Sequence, residues 1–279
     1  MSNKINFISL DQSFEEADIC LYGAPFDSTT SFRPGTRFAP NVMRIDSDGI
    51  ETYSVYFDKD IADLNVSDLG DVDVIFGNAK KTLDSISIKA REILAHNKKP
   101  LLIGGEHLVT LGQFREVYKK FQDVVIIHFD AHADLRDDYL GERLSHATVL
   151  RRCFDLVGKN RIYQFGIRSG EKAEFEFAKE NTILEKVTAD SVSEVVKLIK
   201  DKPVYLTLDL DVLDPSIFSG TGTPEPGGLS YREFIKGLKA LEGLNIVGAD
   251  IVELAPHYDQ SGVSNAVACK TVREVLCLL

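Results

Sequence analysis

The sequence predicts a three-layer α/β/α fold in which a mostly parallel central sheet lies between two layers of helices. Three observations support this prediction. The strand candidates are continuously apolar, amphipathic helical stretches lie between them, and 44% of the residues are hydrophobic. Because no low-complexity linker or repeat divides the 279 residues, we expect a single domain that spans residues 1–279.

The strand candidates are short apolar runs, and in chain order they are Ile19–Gly23, Leu101–Ile103, Val124–Phe129, Ile162–Phe165, Val204–Leu208 and Ile246–Val252. Apolar residues recur at helical spacing in Lys80–His96, Leu108–Phe121, Ser145–Val157, Glu171–Lys179, Ser191–Lys200, Tyr231–Leu241 and Val263–Leu278. In parallel sheets that are covered on both faces, ligands bind at the carboxyl ends of the strands. We therefore expect functional side chains directly after these strands.

Charge and composition argue against several classes of partner, although a role in keeping the protein soluble explains the charge equally well. A formal net charge of −11 argues against nucleic acid and anionic membranes. No apolar run reaches transmembrane length, and Met1–Leu10 lacks the pattern of a signal peptide. The four cysteines are scattered without a CxxC pair, which favours a reduced protein in the cytoplasm.

The third strand candidate runs directly into three metal-binding residue types. Asp130, His132 and Asp134 follow Val124–Phe129 at a spacing of two residues, so in an extended chain they project to the same side. Two carboxylates this close to an apolar strand are costly unless a cation offsets their repulsion. An alternating surface strand is the alternative, but such a strand typically carries Lys, Thr or Glu. Metal binding is the favoured interpretation.

Three further strands end in the same kind of chemistry. His107 follows Leu101–Ile103 after two glycines, although a lone histidine there is a weak signal by itself. Asp209 and Asp211 follow Val204–Leu208, again two residues apart, and Glu253 follows the last strand candidate. Asp214 precedes a proline and is interpreted as a turn residue.

The strand ends supply six candidate metal ligands, which are His107, Asp130, His132, Asp134, Asp209 and Asp211. Six protein ligands and a reactive water would overcrowd one octahedral ion, whereas two ions that share bridging carboxylates fit this number. Oxygen-rich ligation with two imidazoles and no thiolate suits Mn²⁺ better than Fe²⁺, Co²⁺ or Zn²⁺. The sequence therefore predicts two Mn²⁺ ions per chain.

Four motifs together resemble the ureohydrolase family of arginases and agmatinases: GGEHLVTLG, HFDAHADLRDDYLGERLSHATVLRR, YLTLDLDVLDP with SGTGTPEPGGLSYRE, and DIVELAPHYD. The resemblance also covers the N-terminal segment GAPFDSTTSFRPGTRFAP, so it extends over nearly the whole chain. It implies an arginase-like α/β/α fold, a binuclear manganese centre that hydrolyses guanidino groups to urea, and a homo-oligomer, commonly a trimer or hexamer.

The resemblance also implies a role for each matching residue. One ion would be held by His107, Asp130, Asp134 and Asp209. The other would be held by Asp130, His132, Asp209 and Asp211, so that Asp130 and Asp209 bridge the two. Glu253 matches the carboxylate that holds the guanidinium, and His146 matches the histidine that shuttles protons near the leaving amine. The family usually has glycine after that histidine, whereas this chain has Ala147.

The predicted mechanism is attack on the guanidinium carbon by a hydroxide that bridges the metals. Asp134 would accept its hydrogen bond, and His146 would protonate the leaving amine. Asp250 is expected to hydrogen-bond a ligand histidine, and His128 to be a core or supporting residue. Two alternatives are a deacetylase of related fold and a non-catalytic regulator. A deacetylase binds a single zinc ion and would not need six ligands. A non-catalytic regulator would not need His146 and Glu253.

The segment after Asp134 bears on the choice of substrate. Residues 135–145 are acidic and contain one serine, and the stretch DDYLGERLSHAT resembles the agmatinase version of this segment, whereas arginases hold the α-carboxylate and α-amine with a run of Asn, Ser and Thr. Acidic groups near the pocket would attract the second cation of agmatine. We therefore expect hydrolysis of agmatine to putrescine and urea, with arginase or guanidinobutyrase activity as the alternatives.

Overall fold

The computed structural model describes residues 5–199 and 201–279. Within these ranges the strands are β1 Ile19–Ala24, β2 Tyr53–Ser54, β3 Lys59–Asp60, β4 Val66–Asp71, β5 Lys99–Gly104, β6 Val125–Phe129, β7 Ile162–Ile167, β8 Ile183–Lys186, β9 Pro203–Asp209 and β10 Asn245–Val252. The helices are α1 Ala39–Asp46, α2 Ala79–Ala95, α3 Val109–Lys120, α4 Val149–Val157, α5 Lys172–Asn181, α6 Val192–Ile199, α7 Tyr231–Ala240 and α8 Val263–Leu278.

Eight strands form one sheet in the order β4-β1-β5-β10-β9-β6-β7-β8, and every neighbouring pair is parallel. All six predicted strands are present. The sequence missed β4 and β8 because these edge strands carry polar residues and lack a continuous apolar run. The short hairpin of β2 and β3 was missed as well.

Alternate side chains of the central strands pack into two separate apolar layers. Leu101 and Ile103 lie in the layer that contains α1, α6, α7 and α8, whereas Leu102 lies in the layer that contains α2, α3 and α4. This alternation explains the continuous apolar runs, because both faces of each strand are buried. The predicted three-layer α/β/α fold is confirmed.

The predicted helices agree with the structure to within a few residues at each end. The exception is α1, which sequence periodicity did not reveal; it is eight residues long and has Pro40 in its first turn. The predicted helix Ser191–Lys200 corresponds to α6, and Lys200 lies outside the described residues. None of the described helices has the length and apolar composition needed to span a bilayer.

Strand order brings the predicted site residues together. The strands β5 and β6 follow one another along the chain but are separated in the sheet by β10 and β9. Because all four strands are parallel, their carboxyl ends lie side by side at one edge of the sheet. The residues after them, at positions 105–107, 130–134, 209–211 and 253, therefore converge.

Candidate metal centre

His107 reaches the centre through a turn that only glycine permits. A Cβ atom on Gly105 would lie 1.9 Å from the carbonyl oxygen of Phe26, so the chain can turn sharply after β5 only without a side chain there. The Nδ1 atom of His107 then lies 3.1 Å from Asp130 Oδ2, 3.1 Å from Asp134 Oδ2 and 3.3 Å from Asp209 Oδ2. One imidazole nitrogen thus faces three carboxylates.

A second group lies beside the first and shares Asp130 with it. The Nδ1 atom of His132 lies 3.0 Å from Asp211 Oδ2 and 3.4 Å from Asp130 Oδ1. The two carboxylate oxygens of Asp130 therefore face different histidines. Asp209 directs Oδ2 toward His107, while its Oδ1 accepts a hydrogen bond from the backbone N–H of Asp211. Sequence reasoning named all six of these residues, and the structure brings them together.

The pKa shifts within the cluster indicate a site that is suited to cations. Burial and the neighbouring Asp130 raise the pKa of Asp134 to about 7, and burial with Asp211 and Asp130 raises the pKa of Asp209 well above its usual range. Burial alone lowers the pKa of His107, but the carboxylates outweigh this effect and raise it. Without a cation, Asp134 and Asp209 tend to keep their protons. A metal ion would supply the positive charge that stabilises their ionised forms.

The buried Nδ1 atom of His107 indicates whether these residues fit a metal. The Nε2 atom of His107 lies 2.9 Å from the Thr207 hydroxyl, which donates to Asp250 Oδ1 at 2.7 Å. Thr207 must therefore accept the Nε2 proton of His107, so in the neutral imidazole that a metal requires, Nδ1 carries the lone pair. Among the described residues Nδ1 has no hydrogen-bond partner, although three carboxylates surround it. Converging lone pairs and carboxylates fit a binuclear metal site.

Asp250 supports His107 indirectly, which refines the expectation of direct contact. It is fully buried and also accepts a hydrogen bond from the Tyr205 hydroxyl. Burial raises its pKa above the usual range. Thr207, which the sequence analysis did not select, is the link between this carboxylate and the candidate ligand.

His128 supports Asp130 in a similar way. The amide of Gln164 donates to the carbonyl of Ala133 at 2.9 Å and to Nδ1 of His128 at 3.1 Å. Nδ1 is thus an acceptor, so the proton lies on Nε2 and points to Asp130 Oδ2 at 2.8 Å. His128 is close enough to join a metal-binding group with His107 and Asp130. This hydrogen bond, however, already occupies the nitrogen that would face a metal.

Glu253 lies at the same edge of the sheet, in a left-handed backbone conformation with φ of 68°. Its Oε1 accepts a hydrogen bond from the backbone N–H of His107 at 2.7 Å, and its backbone N–H donates to the carbonyl of Gly105. Burial, followed by the nearby Glu106, raises its pKa well above the usual range. A buried carboxylate next to the cluster is suited to a planar cation such as guanidinium.

His146 borders a cavity of about 220 Å³ that is also lined by His132, Asp134, Asp209, Arg136 and Thr223. It begins a short 3₁₀ turn that leads into α4. Its Nε2 accepts a hydrogen bond from the backbone N–H of Ser31 at 3.2 Å and lies 3.0 Å from the Ser31 hydroxyl. Burial lowers the pKa of His146 to about 4, so the side chain is neutral near pH 7.

The acidic segment after Asp134 is arranged differently from the expectation. Asp137 pairs with Arg152 at 2.8 Å and Arg143 at 3.4 Å, so its charge is already balanced by arginines. Leu140 and Gly141 form the tip of a turn in which Tyr139 and Glu142 bond to each other. Of the acidic residues expected to attract a cationic substrate, Asp137 is thus already paired with arginines.

Other charged groups lie nearer the cavity. Arg136 lines it but is paired with Glu174 at 3.3 Å and Glu171 at 3.1 Å. Glu225 accepts a hydrogen bond from the Ser169 hydroxyl at 2.9 Å, and its Oε1 lies 3.9 Å from His132 Nε2. Among the described residues, no lysine or arginine side chain pairs with the Glu225 carboxylate. The guanidinium of Arg168 lies close by but donates to the main-chain carbonyl of Glu225 and not to its carboxylate.

Comparison with known proteins agrees with this arrangement. The model of the arginase family matches residues 17–278. The agmatinase of Bacillus subtilis (strain 168) is 47% identical over 97% of this chain and 94% of its own length. The N(1)-aminopropylagmatine ureohydrolase of Thermococcus kodakarensis is 41% identical over 86% of this chain and 84% of its own length.

Solved structures show the same likeness in three dimensions. The agmatine ureohydrolase of Thermoplasma volcanium superimposes with a TM-score of 0.88 at 31% identity, covering 99% of this chain and 94% of that structure. The match therefore includes the whole sheet and the strand ends that carry the cluster. With a family match over residues 17–278 and relatives above 40% identity, the chain belongs to the arginase family.

Proposed function

We propose that this protein is a binuclear manganese ureohydrolase that converts agmatine to putrescine and urea. The observation that carries the proposal is the pair of acid–histidine groups that share Asp130, one around His107 and the other around His132. Membership of the arginase family supports hydrolysis of a guanidino group, and the 47% identical Bacillus subtilis agmatinase supports agmatine as the substrate.

In this proposal one ion would be held by His107, Asp130, Asp134 and Asp209, and the other by Asp130, His132, Asp209 and Asp211. The donor set of carboxylates and two imidazoles, without thiolate, favours Mn²⁺. When bound, two divalent cations would supply a water of lowered pKa as the nucleophile near neutral pH. The remaining steps depend on side chains of the chain itself.

Glu253 binds and orients the guanidinium. Its buried carboxylate can accept two parallel N–H bonds, which fixes the plane of the group. The energy gained by this pairing offsets the cost of removing the cation from water. Because Oε1 of Glu253 is also held by the backbone N–H of His107, the substrate is positioned relative to the first acid–histidine group.

Asp134 accepts a hydrogen bond in the proposed reaction, and His146 transfers a proton. Asp134 faces the cavity and accepts the hydrogen bond of the attacking oxygen, which orients its lone pair toward the guanidinium carbon. After attack, the tetrahedral intermediate must lose a neutral amine, and this requires a proton on the leaving nitrogen. His146, at the wall of the same cavity, relays that proton from solvent.

Selectivity for an amine at the far end of the substrate follows from charge around the entrance. Arg136 would be the partner for a substrate carboxylate, but Glu174 and Glu171 already balance its charge. Glu225 is a carboxylate without a lysine or arginine partner among the described residues, and it lies close to His132. This arrangement favours the ammonium group of agmatine over the carboxylate of arginine or guanidinobutyrate.

The direct test is urea release by the Mn²⁺-loaded protein from agmatine, arginine and 4-guanidinobutyrate at matched concentrations. We expect kcat/KM for agmatine to exceed the other two by at least about tenfold, a difference of one charged contact in the pocket. A higher value for arginine or guanidinobutyrate would overturn agmatine as the substrate but not ureohydrolase chemistry. No urea from any of the three would instead support a non-catalytic regulator.

We also propose that residues 1–279 form one domain and that the chain assembles into a trimer or hexamer in the cytoplasm. Four free, buried cysteines are compatible with a reducing compartment. Light scattering in solution gives the mass of the assembly, and a mass equal to one chain would contradict the oligomer.

A further inference from the structure

Glu106 is a fully buried carboxylate that the proposed mechanism does not use. It lies between Gly105 and His107, yet its oxygens bond to the loop after β1. Oε2 accepts the backbone N–H of Thr29 at 2.8 Å, and Oε1 accepts the Thr29 hydroxyl. No lysine, arginine or histidine of the described residues forms an ion pair with it. Burial of an acid without a cation is costly, so a buried carboxylate at position 106 needs an explanation.

The loop that Glu106 holds continues to His146. Because the Thr29 hydroxyl donates its proton to Glu106, its oxygen lone pairs are directed away and accept the backbone N–H of His146 at 3.0 Å. Two residues later, Ser31 contacts the imidazole Nε2 of the same histidine with its backbone N–H and its hydroxyl. One short loop therefore holds His146 at both its main chain and its ring.

We propose that Glu106 and Thr29 are positioning residues for His146, and that their hydrogen-bond chain sets where the imidazole stands relative to the leaving amine. This inference rests on the proposed function, in which His146 relays the proton. Glu106 acts only through Thr29, and Thr29 only through the main chain of His146. This chain of hydrogen bonds connects the end of β5, next to His107, to the start of α4, next to His146.

The geometry explains why such a device is useful. His146 lies in a 3₁₀ turn at the start of α4, where backbone position is less restrained than inside a long helix. A misplacement of a reacting group by about 1 Å can lower a rate by about 10²-fold. The anchor must come from a rigid element, and the buried end of β5 beside β1 is such an element.

The test compares Thr29→Val with Thr29→Ser in the Mn²⁺-loaded enzyme. Valine keeps the size and β-branching of threonine but removes the hydroxyl, whereas serine keeps it. We expect Thr29→Val to lower kcat for agmatine by about 10- to 100-fold with KM changed less than about twofold. Thr29→Ser should retain most of the wild-type kcat. The number of bound metal ions and the thermal unfolding midpoint are measured for each variant.

Thr30→Val is the matched control. The same chemical change is made one residue away, where the hydroxyl donates to the carbonyl of Asp27 at 3.1 Å and does not contact His146. Its kcat should stay within about threefold of wild type, a change of less than 1 kcal/mol. An equal loss in Thr30→Val and Thr29→Val would overturn the proposal, because general loosening of the loop would explain both.

A double-mutant cycle with His146→Asn separates positioning from other effects. If Thr29 acts through His146, then Thr29→Val should cause little further loss in the His146→Asn background. Full additivity, or loss of bound metal in Thr29→Val, would overturn the inference. Should Thr29→Val fail to fold, Glu106→Gln is tested in the same cycle. Absence of urea release by the wild type would refute the proposed function, whereas additivity in an active enzyme refutes only this inference.

Discussion

The Nε2 atom of His107 lies 2.9 Å from the hydroxyl oxygen of Thr207, and both side chains are buried. Because Thr207 donates its own proton to Asp250, this contact determines which nitrogen of His107 carries the hydrogen. In the neutral imidazole that a metal requires, the other nitrogen carries the lone pair, and it faces Asp130, Asp134 and Asp209. The buried hydroxyl of Thr207 thus orients His107 so that its other nitrogen can bind a cation.

The first prediction is that Thr207→Val weakens metal binding. Valine fits the strand but cannot accept the Nε2 proton, so His107 loses its fixed orientation. We expect metal affinity to fall by about 10- to 100-fold, the usual effect of removing a supporting hydrogen bond. Metal retained after dialysis against a competing chelator measures this. Thr207→Ser, which keeps the hydroxyl, is the control, and equal retention by both variants would contradict the prediction.

The second prediction concerns Asp130, whose two oxygens face different histidines. Asp130→Ala should reduce the metal content from two ions per chain to fewer than one, because neither group of ligands remains complete. Asp211→Ala removes a carboxylate from the His132 group alone and should leave about one ion bound. Elemental analysis of purified protein gives both numbers. Two ions retained in Asp130→Ala would refute shared ligation.

The third prediction is that Glu225→Gln raises KM for agmatine by about two- to fivefold, the range for a partly exposed charge pair. The variant keeps the hydrogen bond from Ser169 but loses the negative charge. Neither kcat nor the reaction of 4-guanidinobutyrate should worsen, since that substrate carries no ammonium group. Glu176→Gln serves as the control because Glu176 is exposed on α5 and pairs with Lys172. Equal losses with both substrates would argue for a role unrelated to the ammonium.

The fourth prediction concerns acid stability of the loop that carries Thr223 and Glu225. Asp214 accepts backbone hydrogen bonds from Ser216, Gly227 and Gly228, and these contacts, those of Ser216 foremost, lower its pKa to about 2. A carboxyl whose pKa is lowered by folding contributes stability above its unfolded pKa of 3.8, and this is lost as the pH falls through about 2.

Asp214→Asn should therefore lower the free energy of unfolding at pH 7 by about 1 kcal/mol, since the amide keeps one acceptor oxygen for three donors. The difference from wild type should shrink as the pH falls from 4 to 2. Urea unfolding across this range measures it. The control is Asp190→Asn, because Asp190 is an exposed acid whose carboxylate lies 4.0 Å from Lys236. A difference that stays constant with pH would show that ionisation of Asp214 is not the cause.

Local sequence was sufficient to predict the central strands and five of the six candidate ligands, whereas His107 was a weak signal that the family resemblance strengthened. The reason is periodicity: Asp130, His132 and Asp134 follow an apolar strand at a spacing of two, as do Asp209 and Asp211, and such spacing is visible without knowledge of the fold. The edge strands β4 and β8 were missed because an edge strand need not bury both faces, so its residues lack the continuous apolar run.

Only the tertiary structure decided which side chains meet. Asp137 and Glu225 are both acids near predicted motifs, but Asp137 is balanced by the arginines of α4 and the segment before it, whereas Glu225 has no such partner among the described residues. Likewise Thr29 and Glu106 are 77 positions apart and meet only because β1 pairs with β5. Sequence patterns record the burial of single elements, whereas strand pairing and charge pairing depend on contacts between distant segments, which form only when the whole sheet assembles.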